Sequence, residues 1–531
     1  MYDLIIKNGS IVDGSGGKAF IGDVAVKDGV IAQVAPGIVS EAAQTVDATG
    51  QVVAPGFIDI HRHCDAAVFR PGYGELELRQ GITSSISGNC GLSIAPCPAK
   101  WRKEILQYLR PAMGSLPDGI EFESFSEYFA ALKKTKLPLN YGMLVGNGTL
   151  LMASRGFGTH ALEEKDYKEI HRYLRDAVDA GAFGVSVGLV YVPEAIHDVN
   201  SLEKALDPIR NTDIPMITHV RGEGDLLVKS LEEVITVARR LRAPLHVSHF
   251  KCVGRRNWGH LLAKAIGLIE EAQADGVRIT CDVYPWTAGS TLMVQLLPPS
   301  YSLDGLEQTV KYLKDPAKRK ECREILEVPQ SSFENLLYLV GWENIMVSAV
   351  QTPANKKYEG MRVTEIAQEK GMDPYECAFD LLVEENCNVS MVNFIACDED
   401  IDTILQLPYC SIVSDAIYPD SGKPHPRQHG TFPKVLAEYV RERKVLSLEQ
   451  AIHKFTGRPA LDFHIPQKGF LKAGYDADIA IFNPDTVQTL ANYVDSTVLG
   501  TGFSHVFVNG VLANSQDSFI NSGAGKLLRR G

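Results

Sequence analysis

Two histidines spaced one residue apart, His61 and His63 in "GFIDIHRHCD", close an apolar, strand-like run near the start of a 531-residue chain. Alternate residues of a strand leave the same face, so both imidazoles would stand side by side. Neutral imidazole is a common ligand of zinc-like cations. Taken alone, an HxH is better read as two polar side chains satisfied by local hydrogen bonds. Other apolar runs end on similar groups. "SGNCG" sets Cys90 between Gly88 and Gly91, "ITHVRGE" carries His219, and "VSHFK" carries His249 and Lys251. "CDVYPW" carries Tyr284 and "VSDA" carries Asp415. Four histidines, a cysteine and an aspartate are the groups that metal-assisted hydrolysis needs: imidazole and thiolate donors for a cation, and a carboxylate to move a proton.

These groups cooperate only if the fold gathers the ends of the runs. The segments 52–62, 83–89, 140–146, 181–187, 215–220, 244–250, 278–284 and 410–415 read as strands. Helix-like stretches such as "DYKEIHRYLRDAVDAG" and "SLEEVITVARRLRA" lie between them. Strands alternating with helices imply a parallel sheet. Eight such units over this length fit a (β/α)8 barrel, whose catalytic groups sit at the C-terminal ends of the strands. A longer, mostly helical insertion at about 290–400 precedes the last strand, and its 290–350 part is expected to form a lid. Both ends of the chain read as short strands. Asn8-Gly9, Asp28-Gly29 and Asn509-Gly510 supply the positive φ angles of two-residue hairpin turns. The expected architecture is therefore α/β: a TIM-like barrel over 56–465, and a small β-sandwich domain composed of 1–55 plus 466–531.

A 45% apolar and 22% charged composition is that of a soluble globular protein. The net charge of −12 argues against nucleic acid as a partner. No basic-then-apolar leader and no uninterrupted apolar run of ~18 residues is present, so neither a signal peptide nor a membrane span is expected. Ten cysteines without a CxxC pair are unlike a disulfide framework and point to the cytoplasm. A homo-oligomer is compatible with this composition.

The stretches "PGFIDIHRHCD", "GNCG", "THVRGE", "SHFK", "SDA" and "HPRQHGTFPKVLAEYVRERKVLSLEQAIHKFTGRPA" together resemble the amidohydrolase superfamily. The resemblance is strongest to its D-aminoacylase branch, the N-acyl-D-amino-acid deacylases, and it covers the whole chain. The HxH marks the superfamily; "GNCG" with the "HPR…GTFP" stretch is far more specific to the branch. Related amidohydrolases bridge two metals with a carboxylated lysine on the fourth strand. Here "GAFGVSVGLVYVP" contains no lysine, and Cys90 looks like the substitute. The resemblance implies a tight Zn2+ site at Cys90, His219 and His249, with His61 and His63 forming a second, weaker or empty, position. It implies that Asp415 takes a proton from the attacking water and delivers it to the leaving nitrogen. It also implies a small-molecule N-acyl-D-amino acid as substrate. Lys251, Tyr284 and Arg427 would hold its α-carboxylate, with Tyr191 lining the pocket. Two positions depart from the branch: Cys64 stands where an acid is more usual, and Asn147 where a histidine is expected. The competing readings are a cyclic-amide hydrolase of the dihydropyrimidinase or dihydroorotase type, which should carry the missing lysine, and a non-catalytic scaffold, which should have lost ligands.

Overall fold

The computed structural model describes residues 1–158 and 160–530. Its centre is a ring of eight parallel strands: β1 (Phe57–Asp59), β2 (Ile82–Ser87), β3 (Asn140–Met143, resumed at Val145–Gly146), β4 (Val185–Gly188), β5 (Met216–His219), β6 (Leu245–Val247), β7 (Ile279–Val283) and β8 (Cys410–Ile412). Each pairs in parallel with the next. The ring closes between the first and last strands, where the Asp415 N–H donates to the His61 carbonyl at 2.9 Å and the His63 N–H to the Ala416 carbonyl at 2.9 Å. Ladder pairing of β1 ends at Asp59, so His61 and His63 lie just past the strand, where only the Arg62–Ala416 bridge continues it.

The strand runs are buried on both faces, as in a covered barrel, even where they are rich in serine, as in "ITSSIS". Ile58, Ile60, Ile86, Leu144, Ile217 and Val413 fill the interior. Helices screen the outside. In the helix Leu227–Leu241, Leu227, Leu231, Val234, Ala238 and Leu241 recur at three- and four-residue spacing and are buried, while Arg239 and Arg240 end it in solvent.

The segment 52–62 is two strands. Val52–Pro55 belongs to a nine-stranded sheet that also takes in Tyr2–Ile11, Phe20–Lys27, Val30–Ala35 and Ala42–Asp47 from the start of the chain. Ile479–Phe482, Phe503–Val508, Val511–Ser515 and Ser518–Phe519 join it from the other end. Asp28-Gly29 and Asn509-Gly510 do connect adjacent antiparallel strands. Asn8-Gly9 does not. It lies inside Tyr2–Ile11, where Asn8 at φ 59° makes a bulge and donates its N–H to Asp23.

The insertion before β8 is less helical than its sequence suggests. Its helices accompany a three-stranded antiparallel sheet of Ala288–Leu292, Ser390–Phe394 and Ile345–Ala349. Short runs such as "IMVSA" and "SMVNF" fit a buried strand or a helix turn equally well by pattern. No helix among the described residues is long and apolar enough to cross a membrane.

Candidate metal and active site

The site lies at the C-terminal mouth of the ring. His61 and His63 arrive after β1, Cys90 after β2, His219 at the end of β5, His249 and Lys251 after β6, Tyr284 after β7 and Asp415 after β8. Cys90, His249 and Asp415 adopt φ angles of 56°, 36° and 51°, a left-handed conformation that costs a non-glycine residue energy. Three such residues around one point indicate side chains held for use, not for comfort. The glycines of "SGNCG" explain how the first is held. Gly88 and Gly91 have φ of 82° and 73°. A Cβ at Gly91 would collide with the Glu194 carboxylate, and one at Gly88 with the Leu144 carbonyl. Asn89 ties the loop to β1 by donating to the Ile60 carbonyl at 3.2 Å.

Donor atoms of Cys90, His219 and His249 lie within 4.8 Å of one another; so do those of His61, His63 and Cys90, and those of His61, His249 and Asp415. Cys90 Sγ is 3.4 Å from His249 Nε2 and 3.3 Å from His61 Nε2. Zinc bonds of about 2.0–2.3 Å in a tetrahedron require donor separations of roughly 3.3–3.7 Å, and Cys90 stands at that spacing from both His249 and His61. His219 Nδ1 is buried without a hydrogen-bond partner, as a donor atom reserved for a metal would be. The opposite nitrogens are oriented by carboxylates. His249 Nδ1 lies 2.9 Å from Glu223, and His61 Nδ1 3.2 Å from Asp282. That pairing turns each Nε2 toward Cys90. Burial alone would raise the Cys90 thiol; the charges of His61 and His249 outweigh it and hold the group well below its ordinary value. The site thus favours the thiolate, the form in which cysteine binds metal.

Asp415 Oδ1 is 3.3 Å from His63 Nε2 and 3.4 Å from His61 Nε2, and Arg427 Nη1 is 2.8 Å from its Oδ2. Burial pushes the Asp415 carboxyl up, but Arg427 and His61 hold it well below the carboxylate range, so it is ionised. Arg427 also donates to the Ser290 carbonyl at 3.1 Å, stacks 4.6 Å above the Tyr284 ring and keeps an unpartnered Nε. Lys251 is already engaged: its Nζ lies 2.5 Å from Glu223 and donates to the His249 carbonyl at 2.8 Å. Tyr191 packs edge-on to His219 and hydrogen-bonds Thr291 at 3.0 Å. His63, Cys90, Tyr191, His219, His249, Lys251, Tyr284, Asp415 and Arg427 line one pocket of about 840 Å³ including its open mouth; His61 is fully buried behind it. The insertion supplies one wall. Glu334 docks there by accepting the Gly224 N–H at 2.8 Å and the Leu226 N–H at 3.4 Å.

Sequence reasoning passes over Glu223 and Asp282. Both sit inside quoted stretches, "THVRGE" and "CDVYPW", but nothing in their spacing shows that they grip the far nitrogen of a histidine. Asn147 falls outside the pocket and donates to buried Glu194 at 2.7 Å, behind the Cys90 loop. Cys64 is fully buried, its thiol pushed up to about 12 by burial, and it packs against Tyr73. β4 contains no lysine.

A family model described as Amidohydrolase family matches residues 44–107 and 370–513. An N-acyl-D-glutamate deacylase of Alcaligenes xylosoxydans xylosoxydans is 31% identical over 99% of this chain and 96% of its own. A D-aminoacylase of the same organism is 30% identical over 100% of this chain and 98% of its own. A crystal structure of the N-acyl-D-glutamate deacylase of Bordetella bronchiseptica, complexed with zinc and a phosphonate mimic of the tetrahedral intermediate, superposes with a TM-score of 0.83. It is 29% identical, covering 99% of each chain.

Proposed function

We propose, for a chain that belongs to the N-acyl-D-amino-acid deacylase branch of the amidohydrolase superfamily, that it hydrolyses the amide bond of N-acyl-D-amino acids with zinc as its metal. The observation that carries this reading is the meeting of one thiolate and two imidazoles with an ionised Asp415 in a pocket that also holds Arg427. Cys90, His219 and His249 would hold the tight zinc, and His61 and His63 a second, weaker position. When bound, the cation polarises the scissile carbonyl and lowers the pKa of water. Asp415 accepts the proton of the attacking water and returns it to the departing nitrogen. His63 and Arg427 fix its two oxygens in place for both transfers. Arg427, with Tyr284 beside it, receives the substrate's α-carboxylate, since a guanidinium with an unpartnered Nε has a hydrogen bond to spare. Lys251 contributes charge from its place against Glu223, and Tyr191 borders the acyl end. The segment 290–350 acts as a lid over the mouth. Ten unpaired cysteines, one of them a ligand, suit the reducing cytoplasm.

The test combines metal analysis with enantiomer pairs. The purified protein should carry about one zinc per chain, lost in Cys90→Ala, and should hydrolyse an N-acetyl-D-amino acid well above its L-isomer. Full zinc in Cys90→Ala would defeat the ligand assignment. Equal rates on both enantiomers would defeat the D-specific reading and leave a metal hydrolase.

A further inference from the structure

We infer that the pocket is built for an uncharged D-side chain, so that N-acyl-D-glutamate and N-acyl-D-aspartate are poor substrates; the inference rests on the deacylase reading above. The charges around the pocket carry it. Apart from histidines, its cations are Lys251 and Arg427, and its carboxylates are Glu223, Glu334 and Asp415. Lys251 lies 2.5 Å from Glu223, and Arg427 2.8 Å from Asp415. Every substrate of the class brings an α-carboxylate that draws on these same two cations. A second carboxylate on the side chain meets no unspent cation among the described lining residues.

Much of the rest of the wall is apolar, formed by Leu92, Val220, Val253, Leu292, Ile395 and Ile417, with Ser290, Thr291, Gln295 and Asn393 as its neutral polar groups. Its neutral polar groups do not replace a cation: Gln295 spends an N–H on the Tyr108 hydroxyl at 3.2 Å. A buried carboxylate without a partner is strongly disfavoured, whereas an aliphatic side chain gains by the same burial.

The experiment compares kcat/KM of the zinc-loaded enzyme for N-acetyl-D-leucine, N-acetyl-D-methionine, N-acetyl-D-glutamate and N-acetyl-D-aspartate. Binding of free D-leucine and D-glutamate is measured by calorimetry on the same preparation. The expected result is a preference of at least ~10²-fold for the apolar substrates, the scale on which an unpaired polar group is rejected, with D-leucine the tighter ligand. In Leu336→Lys, which adds a cation at a half-buried wall position, the glutamate-to-leucine ratio of kcat/KM should rise by at least ~10-fold. Acidic substrates turned over as fast as apolar ones, or a ratio unmoved in the variant, would overturn the inference and leave the deacylase reading standing. No turnover of any D-substrate would defeat that reading and this inference with it.

Discussion

Asp415 is held ionised by three neighbours, Arg427 on one oxygen and His61 and His63 on the other. Replacing it with asparagine keeps the shape and removes the base. Asp415→Asn should retain zinc and fold while kcat falls by at least ~10²-fold; near-wild-type turnover with full metal would remove Asp415 from the chemistry. Glu223 acts one step back, on His249 Nδ1 and Lys251. Glu223→Gln should weaken zinc affinity by about 10–100-fold, read by competition with a chelator, and an unchanged affinity would show that His249 needs no such support. At this scale the sequence discloses the groups that meet at the mouth, because ligand chemistry restricts candidates to Cys, His and Asp. It hides Glu223 and Asp282, because a carboxylate that orients a ligand is chosen by position in space. It also cannot show that Lys251 is charge-paired, since Glu223 is separated from it along the chain by a whole βα unit.

Elements carry the site through their ends. Most barrel strands are legible from short β-branched runs, but 52–62 divides into two strands, and β3 is broken at Leu144, whose N–H donates to the Ser87 carbonyl at 2.8 Å. That break answers to a neighbouring strand and leaves no mark in local pattern. The insertion's sheet escapes notice for the related reason that its strands pair across gaps of about fifty and a hundred residues. The docking of Glu334 on the loop after β5 gives the insertion a pH response. Burial pushes its carboxyl up to about 7 against the lowering pull of the Gly224 and Leu226 N–H groups. A raised value in the docked state means that docking takes up a proton. Docking is therefore strongest below the ordinary glutamate range and is lost as pH rises through about 7. Subtilisin nicking near Phe333 should be several-fold faster at pH 8.5 than at pH 6, relative to Glu334→Gln at each pH. Identical ratios at the two pH values would refute the coupling.

In the whole molecule, the barrel and the nine-stranded sheet are tied together by the end of the chain. The Tyr141 N–H donates to the Lys526 carbonyl at 2.9 Å and the Leu528 N–H to the Tyr141 carbonyl at 2.7 Å. Leu528 closes the floor of the barrel core, and Arg530 reaches Asp213 at 3.0 Å. Deleting residues 521–531 removes one buried leucine and its backbone partners, a loss of about 2–4 kcal/mol. Tm should fall by about 2–4 °C, and an unchanged Tm would show that the tail is merely laid on the surface. Hairpin dipeptides reveal that both ends are β-rich, but only two of the three mark hairpins, and strand order within the sheet depends on partners hundreds of residues apart. Val52–Pro55 pairs with Ile479–Phe482. On a ribosome adding about 5–20 residues per second, the first of these strands is finished roughly 20–85 s before the second exists. Throughout that interval the newborn amino-terminal strands present a bare hydrogen-bonding rim to everything around them, the kind of edge on which chains stick together. That waiting rim is thus the natural target for a holdase, and slow or stalled translation between the two strands should cost this protein more than one whose sheets are built from neighbours.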